Sequence, residues 1–292
     1  MTTPSRPLAL TTPIEPGAAR PPGRSAADAR AALHGGALGR FEVAVASDCG
    51  SQHPANEDAH SPLEGDGRLF VVADGVGGGA QAALASRQLV GLLHEALAGQ
   101  RIEPDRVQQA MLAADRGIAR RIAQLTDLPG AATVALCAPQ NLFASRWLVA
   151  WVGDCRVYRL VVRADADIEL LTRDHTFGHL DETPPPGGAA DDPARMVGNG
   201  AVSSAGVGHH DLAVGDLLAL CSDGVHKHLQ PADWTRLLRT PQPLVQRADA
   251  LIARARANGS VDDATVLLVQ RCGLGRGGVH GVVDGVVDGV VQ

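Results

Sequence analysis

Leu69-Phe70-Val71-Val72-Ala73-Asp74-Gly75-Val76-Gly77-Gly78-Gly79 runs from five apolar residues straight into a carboxylate and a cluster of glycines. A short apolar run closed by turn residues reads as a buried strand. Two nucleotide-binding folds begin with a strand followed by glycines, and neither fits. No Lys-Ser/Thr pair follows to hold a nucleotide phosphate, so this is not a P-loop. The GxGxxG spacing of a dinucleotide site is not met either. The stretch therefore points away from a parallel Rossmann sheet.

Working outward, further strands are read at 41–47, 133–137, 147–152, 156–161, 217–221 and 264–269. Residues 82–97 are helical in composition. Val107, Met111, Ala114, Ile118, Ile122 and Leu125 recur at helical spacing and give a second, amphipathic helix. Two more helices are read at 232–238 and 244–257. The strands cluster, with two helices early and two late, rather than alternating strand by strand with helices. That order favours an antiparallel α+β architecture.

The domain so defined spans 41–271. Residues 1–40 are half Ala, Pro and Gly, and prolines at 4, 7, 13, 16, 21 and 22 stop a helix from propagating. They read as a flexible N-terminal arm, with a short helix allowed at 25–33. Residues 272–292 end in the repeat GVVD-GVVD-GVVQ and read as a low-complexity tail. Within the domain, 173–211 lacks periodicity and carries Pro184-Pro185-Pro186-Gly187-Gly188, the composition of a flap. The 292 residues carry a net charge of −6 and only 3% aromatics, which disfavours a nucleic-acid-coating role. No apolar run is long enough to span a membrane, and no apolar signal core opens the chain. Five irregularly spaced cysteines, at 49, 137, 155, 221 and 272, form neither a disulfide framework nor a zinc pattern. Reduced thiols in a cytoplasm are expected.

The chemistry lies in acids at strand ends. Asp74 closes the run quoted above, Asp154 follows 147–151, and Asp223 follows 217–221. Asp262-Asp263 precedes 264–269, and Glu57-Asp58 lies shortly after the first strand. One Asp-Gly after a strand is ordinarily a turn; the signal is the ordered set. If the ends converge to within about 5 Å, each pair of anions repels by roughly 3 kcal/mol even at an effective dielectric near 20. Such a cluster requires cations, and an all-oxygen donor set selects Mg²⁺ or Mn²⁺ over zinc. The chain offers no GxSxG nucleophile and no reactive-cysteine loop.

Ser47-Asp48-Cys49-Gly50 leading to Asn56-Glu57-Asp58-Ala59, Asp74-Gly75-Val76-Gly77-Gly78 with Ala85-Ser86, and Gly153-Asp154-Cys155-Arg156-Val157-Tyr158 stand in order along the chain. They are followed by Leu171-Thr172-Arg173-Asp174-His175-Thr176, Cys221-Ser222-Asp223-Gly224-Val225 and Asp262-Asp263-Ala264-Thr265. This set resembles the motifs of the bacterial PP2C (PPM) metal-dependent protein serine/threonine phosphatases, over about 47–269. The resemblance implies an α-β-β-α sandwich of two antiparallel sheets flanked by helices, with metals in a cleft at one end. It implies that Asp74 bridges two Mg²⁺ or Mn²⁺ ions with the Gly75 carbonyl as a further ligand. Asp223 and Asp262 complete the second ion's shell, Glu57 and Asp58 act through water, and Asp154 helps hold a third, weaker ion. Asp74, Asp223 and Asp262 would then be catalytic through a metal-bridging hydroxide that hydrolyses phosphoserine and phosphothreonine. The implied partners are phosphoprotein substrates and a bacterial Ser/Thr kinase that the enzyme opposes.

The chain departs from the family at several points. His53 replaces an Arg that grips the substrate phosphate, which predicts weaker phosphate binding or activity that improves as pH falls. Gly79 stands where bacterial members often carry His, so no general acid is assigned. Asp263 replaces Asn and is either a solvated neighbour, the reading preferred, or a charge that strengthens metal binding. Gly130-Ala131-Ala132-Thr133 keeps only part of a GTT motif, and Cys155 and Cys221 are expected to be small core residues. His209-His210 are expected on the surface, with metal ligation as the rarer alternative. Two rival readings remain: a catalytically weak phosphatase-like binding scaffold, and a phosphatase of small esters.

Overall fold

A strand covered on both faces needs apolar residues at every position, not at alternate ones. The computed structural model describes residues 28–36, 39–64, 68–97, 99–163, 168–202 and 204–273, and its central strands are of this kind. In chain order the elements are β1 (Asp28–Gly36), β2 (Gly39–Asp48), β3 (Ala59–His60), β4 (Phe70–Val76), α1 (Ala80–Leu97) and α2 (Pro104–Ala123). Then come β5 (Ala131–Pro139), β6 (Arg146–Val152), β7 (Arg156–Leu160), β8 (Glu169–Leu170), the single turn α3 (Phe177–Leu180) and β9 (Gly206–Asp211). The chain closes with β10 (Leu217–Cys221), the single turn α4 (Asp223–His226), α5 (Pro231–Leu238), α6 (Leu244–Ala257) and β11 (Ala264–Cys272).

The strands form two antiparallel sheets, ordered β1-β2-β11-β10-β7-β8 and β3-β4-β5-β6-β9. Successive side chains on a strand point to opposite faces, and the packing follows that rule. On β4, Val71 and Ala73 pack under α1 and α2, while Phe70 and Val72 face the other sheet. On β10, Leu218 and Leu220 lie between the sheets, while Leu217, Ala219 and Cys221 pack with Trp234 of α5 and Leu251 of α6. The central layer is centred on Trp147, which meets Phe41 edge-on at 5.3 Å between ring centroids and donates its indole N–H to the Ala144 carbonyl at 2.9 Å. The four layers are therefore helices, sheet, sheet, helices, with a core in each of the three gaps.

Two readings of the sequence change. Residues 28–36, expected in the arm with a helix allowed at 25–33, instead form β1, paired antiparallel along β2 from Asp28↔Ser47 to Gly36↔Gly39. The segment 173–211 is irregular only in part. It holds α3, a bridge between Thr176 and Pro193, and at its end β9, which pairs with β6. Residues 1–27 of the arm and 274–292 of the tail lie outside the described residues.

Register decides where the site falls. Cys221 pairs with both Val266 and Arg156, and Ala264 pairs with Asp48. The end of β10, the starts of β7 and β11 and the end of β2 thus share one end of their sheet. In the other sheet Asp74 pairs with Thr133 and Ala73 with Ala59, which brings the end of β4 beside the starts of β3 and β5. Asp154 sits in the connection from β6 to β7, where the chain crosses between sheets.

Candidate metal centre

His53, Glu57, Asp74, Gly75, Asp154, Asp223, Asp262, Asp263 and Lys227 line one cavity of about 220 Å³, together with Asp192 and Pro193 from the 173–211 segment. Asp58 lies beneath it, buried, and accepts a hydrogen bond from Ser222 Oγ at 2.7 Å. The structure thus brings together every site residue read from the sequence.

Local geometry explains how each acid is held. Asp74 ends β4, and the chain then turns through Gly77, Gly78 and Gly79 with φ of +116°, +75° and +76°, a conformation that side-chain-bearing residues rarely adopt. This turn aims the Gly79 N–H at Glu57 Oε1, 2.5 Å away. Ser86 of α1 donates to the Glu57 carbonyl at 2.5 Å. The turn α4 passes so close to the residue before β11 that a Cβ on Gly224 would strike the Asp263 carbonyl. Arg256 of α6 clamps the loop ends: it donates to Asp48 Oδ2 at 3.0 Å, to the Asp48 carbonyl at 3.0 Å and to the Asp262 carbonyl.

Asp263 is a correction to the sequence reading. It is buried rather than solvated, and both its oxygens are used: Gly50 N–H donates to Oδ1 and Glu57 N–H to Oδ2, each at 2.7 Å. It pins the loop that carries His53, Glu57 and Asp58 to the start of β11. His53 Nδ1 lies 3.6 Å from both Glu57 Oε1 and Asp263 Oδ2. Among the described residues, His53, Asp262 and Asp263 form a three-donor group whose atoms lie within 4.8 Å of one another.

Electrostatics reflect the crowding. Burial, then the charge of Asp223, raises Asp74 well above the usual carboxylate range. Burial also pushes Asp58 up to about 8 and Asp154 up to about 7, with Asp223 adding repulsion to each. Asp262 is raised by burial and by Asp223. Asp223 itself moves the other way. Burial raises it, but the charge and hydrogen bond of Lys227 outweigh that and hold it below the ordinary value. Asp58 Oδ1 is buried without a hydrogen-bond partner. An orphaned carboxylate oxygen inside a set of crowded oxygen donors fits a hard divalent cation.

The sign of the pH dependence follows. In metal-stripped protein these acids release protons later than in the unfolded chain. The stability they lend as neutral groups is complete below their unfolded values and is lost as pH climbs through about 7 and 8. The apparent Tm of stripped protein should therefore fall between about pH 5 and pH 8, and manganese should reverse the fall at the alkaline end. A profile in which metal-stripped protein is most stable at the alkaline end would contradict this.

Lys227 lines the cavity and pairs with Asp223, and nothing in the sequence reading had placed it there. Its signal was the four-residue spacing from Asp223 across one helical turn. The cysteines behave as expected: Cys155 and Cys221 are buried, and burial pushes both thiols up, so neither is a thiolate near neutral pH. His209 and His210 lie on β9, opposite Leu148 and Trp147 and away from the cavity.

Over residues 64–272 the chain matches the family model described as Stage II sporulation protein E (SpoIIE). The chain belongs to this family, of PP2C (PPM) type. A curated relative, the serine/threonine phosphatase stp of Listeria innocua, is 29% identical over 244 residues, covering 77% of this chain and 94% of that one. Among solved PP2C structures, the PPM Ser-Thr phosphatase MsPP from Mycobacterium smegmatis in complex with cacodylate is 25% identical. It superposes with a TM-score of 0.65, covering 79% of this chain and 98% of its own. The catalytic domain of the phosphatase PstP in complex with two manganese ions shares the PP2C fold at a TM-score of 0.67 and 24% identity, covering 80% of this chain and 99% of its own. The two antiparallel sheets and flanking helices are those of a PP2C domain.

Proposed function

We propose that the chain is a protein serine/threonine phosphatase that hydrolyses phosphoserine and phosphothreonine with a pair of Mg²⁺ or Mn²⁺ ions. The observation that carries this reading is the convergence of Asp74, Asp154, Asp223 and Asp262 on one cavity at the ends of both sheets. Asp74 with the Gly75 carbonyl, Asp223 and Asp262 would hold the ions directly, and Glu57 and Asp58 would do so through water. Held there, such ions would supply an acidified water for attack on phosphorus and positive charge for the phosphoryl oxygens.

The protein's own residues do the rest. Asp263 and the Gly79 amide fix Glu57 from two sides, so its carboxylate needs no reorganisation when substrate arrives. His53 lines the same cavity and offers a hydrogen-bond donor to a phosphoryl oxygen. Asp192 and Pro193 bring the 173–211 segment to the cavity wall, where it would meet the polypeptide around the phosphoresidue. The raised thiols agree with direct hydrolysis, because they supply no nucleophile for a phosphoenzyme. The substrates require a Ser/Thr kinase to make them, and that kinase is the implied functional counterpart. A cytoplasmic setting suits five unpaired cysteines. No helix among the described residues is long and apolar enough to cross a membrane.

The test is chelation and restoration. EDTA-treated protein should lose turnover of a phosphothreonine peptide and regain it on addition of manganese or magnesium. Turnover that survives complete metal removal would overturn the metal reading. Tight manganese uptake with no turnover of any phosphopeptide would favour the scaffold instead.

A further inference from the structure

Lys227 directly follows the single turn α4, one helical turn beyond Asp223. Its Nζ lies 2.7 Å from Asp223 Oδ2 and 3.8 Å from Asp154 Oδ2. The first distance is that of a charge-assisted hydrogen bond. Asp154 is the residue expected to hold a third ion, so the ammonium stands where that ion would need its ligands. Resting on the two-ion reading above, we propose that Lys227 is the resident cation of the Asp154–Asp223 pair and replaces a third divalent ion. The centre then takes up two ions and no more.

Three observations carry this. The first is space. An ion bound to the same two oxygens would sit about 2.0 to 2.6 Å from each, and would have to compete with Nζ, which already holds Asp223 Oδ2 at 2.7 Å and lies 3.8 Å from Asp154 Oδ2. Two cations that close also repel strongly. The second is commitment of the neighbouring charge. Arg156, the next cation along this wall, is bound to Asp174 through Nε at 2.9 Å and Nη2 at 2.6 Å, and so leaves Asp154 to Lys227. The third is position. Lys227 lines both the carboxylate cavity and a neighbouring one of about 380 Å³ bounded by Arg156, Asp174, Thr176 and Asp191. Its charge is therefore built into the wall between the core acids and the 173–211 segment. A lysine there supplies positive charge at any metal concentration, whereas a weakly held third ion supplies it only when free metal is abundant.

The experiment counts ions rather than turnover. Equilibrium dialysis of the full chain against millimolar manganese should give two ions per chain. Lys227→Gln, which removes the charge and keeps most of the length, should raise the count to three. Adding Asp154→Asn to that variant should return it to two. In crystals of the unaltered protein soaked in manganese, anomalous density should show two peaks and none between Asp154 and Asp223. A third peak there, a count of three for the unaltered chain, or a count that stays at two in Lys227→Gln would overturn the inference. Failure of the unaltered chain to take up any manganese would instead overturn the two-ion reading on which it rests.

Discussion

Asp74→Asn should lower kcat/KM toward a phosphothreonine peptide by about 10³-fold or more, a loss of about 4 kcal/mol in transition-state stabilisation. The substitution keeps the shape of the side chain and removes its charge. It thus separates ligand chemistry from packing at the end of β4, where the backbone is fixed by pairing with β5. A second readout distinguishes this from simple unfolding. In metal-stripped protein, Asp74 is an acid that burial and the neighbouring Asp223 hold well above its usual range. Asparagine removes that strain, so the stripped variant should melt higher than stripped wild type at alkaline pH while losing its response to manganese. Activity within tenfold of wild type would contradict the mechanism. A collapsed Tm would indicate a structural role instead.

Asp263→Ala should cost about 2–6 kcal/mol of stability, because two backbone N–H groups, of Gly50 and Glu57, lose their acceptors and each stranded donor costs about 1–3 kcal/mol. Asp263→Asn should cost about half as much, since an amide offers one acceptor oxygen where the carboxylate offers two. Urea midpoints at constant m-value would measure both. The loop from Gly50 to Glu57 also carries His53, so Asp263→Ala should weaken manganese uptake even in the folded fraction. Midpoints for both variants within error of wild type would show that Asp263 does not anchor the loop.

The parts of the fold that could be read from sequence are those buried on both faces. Residues 217–221 and 244–257 were read with the bounds the structure shows for β10 and α6, because apolar spacing there is dictated by packing. The strand β1 escaped because its sequence, Asp-Ala-Arg-Ala-Ala-Leu-His-Gly-Gly, is rich in alanine and glycine and lies at a sheet edge, where only one neighbour selects it. The strand β9 escaped for the same reason: Gly-Val-Gly-His-His-Asp is mostly polar and half-buried at the edge of its sheet. At the site, acids at strand ends were legible because the strands themselves were. Asp263 was misread because nothing in a linear pattern reveals that two amides from a loop more than two hundred residues earlier close on its oxygens. Lys227 was passed over because a lysine after a short turn is ordinarily solvated, and only the fold sets Asp154 opposite it.

Asp74 belongs to the five-stranded sheet, while Asp223 and Asp262 flank strands of the six-stranded one. An ion held by all three, as proposed above, would be a rivet through both halves of the sandwich. Loading should then slow amide exchange at one rim of both sheets together and leave the opposite rim free to breathe, so that the ion proposed to carry the chemistry would also keep the two halves from sliding apart.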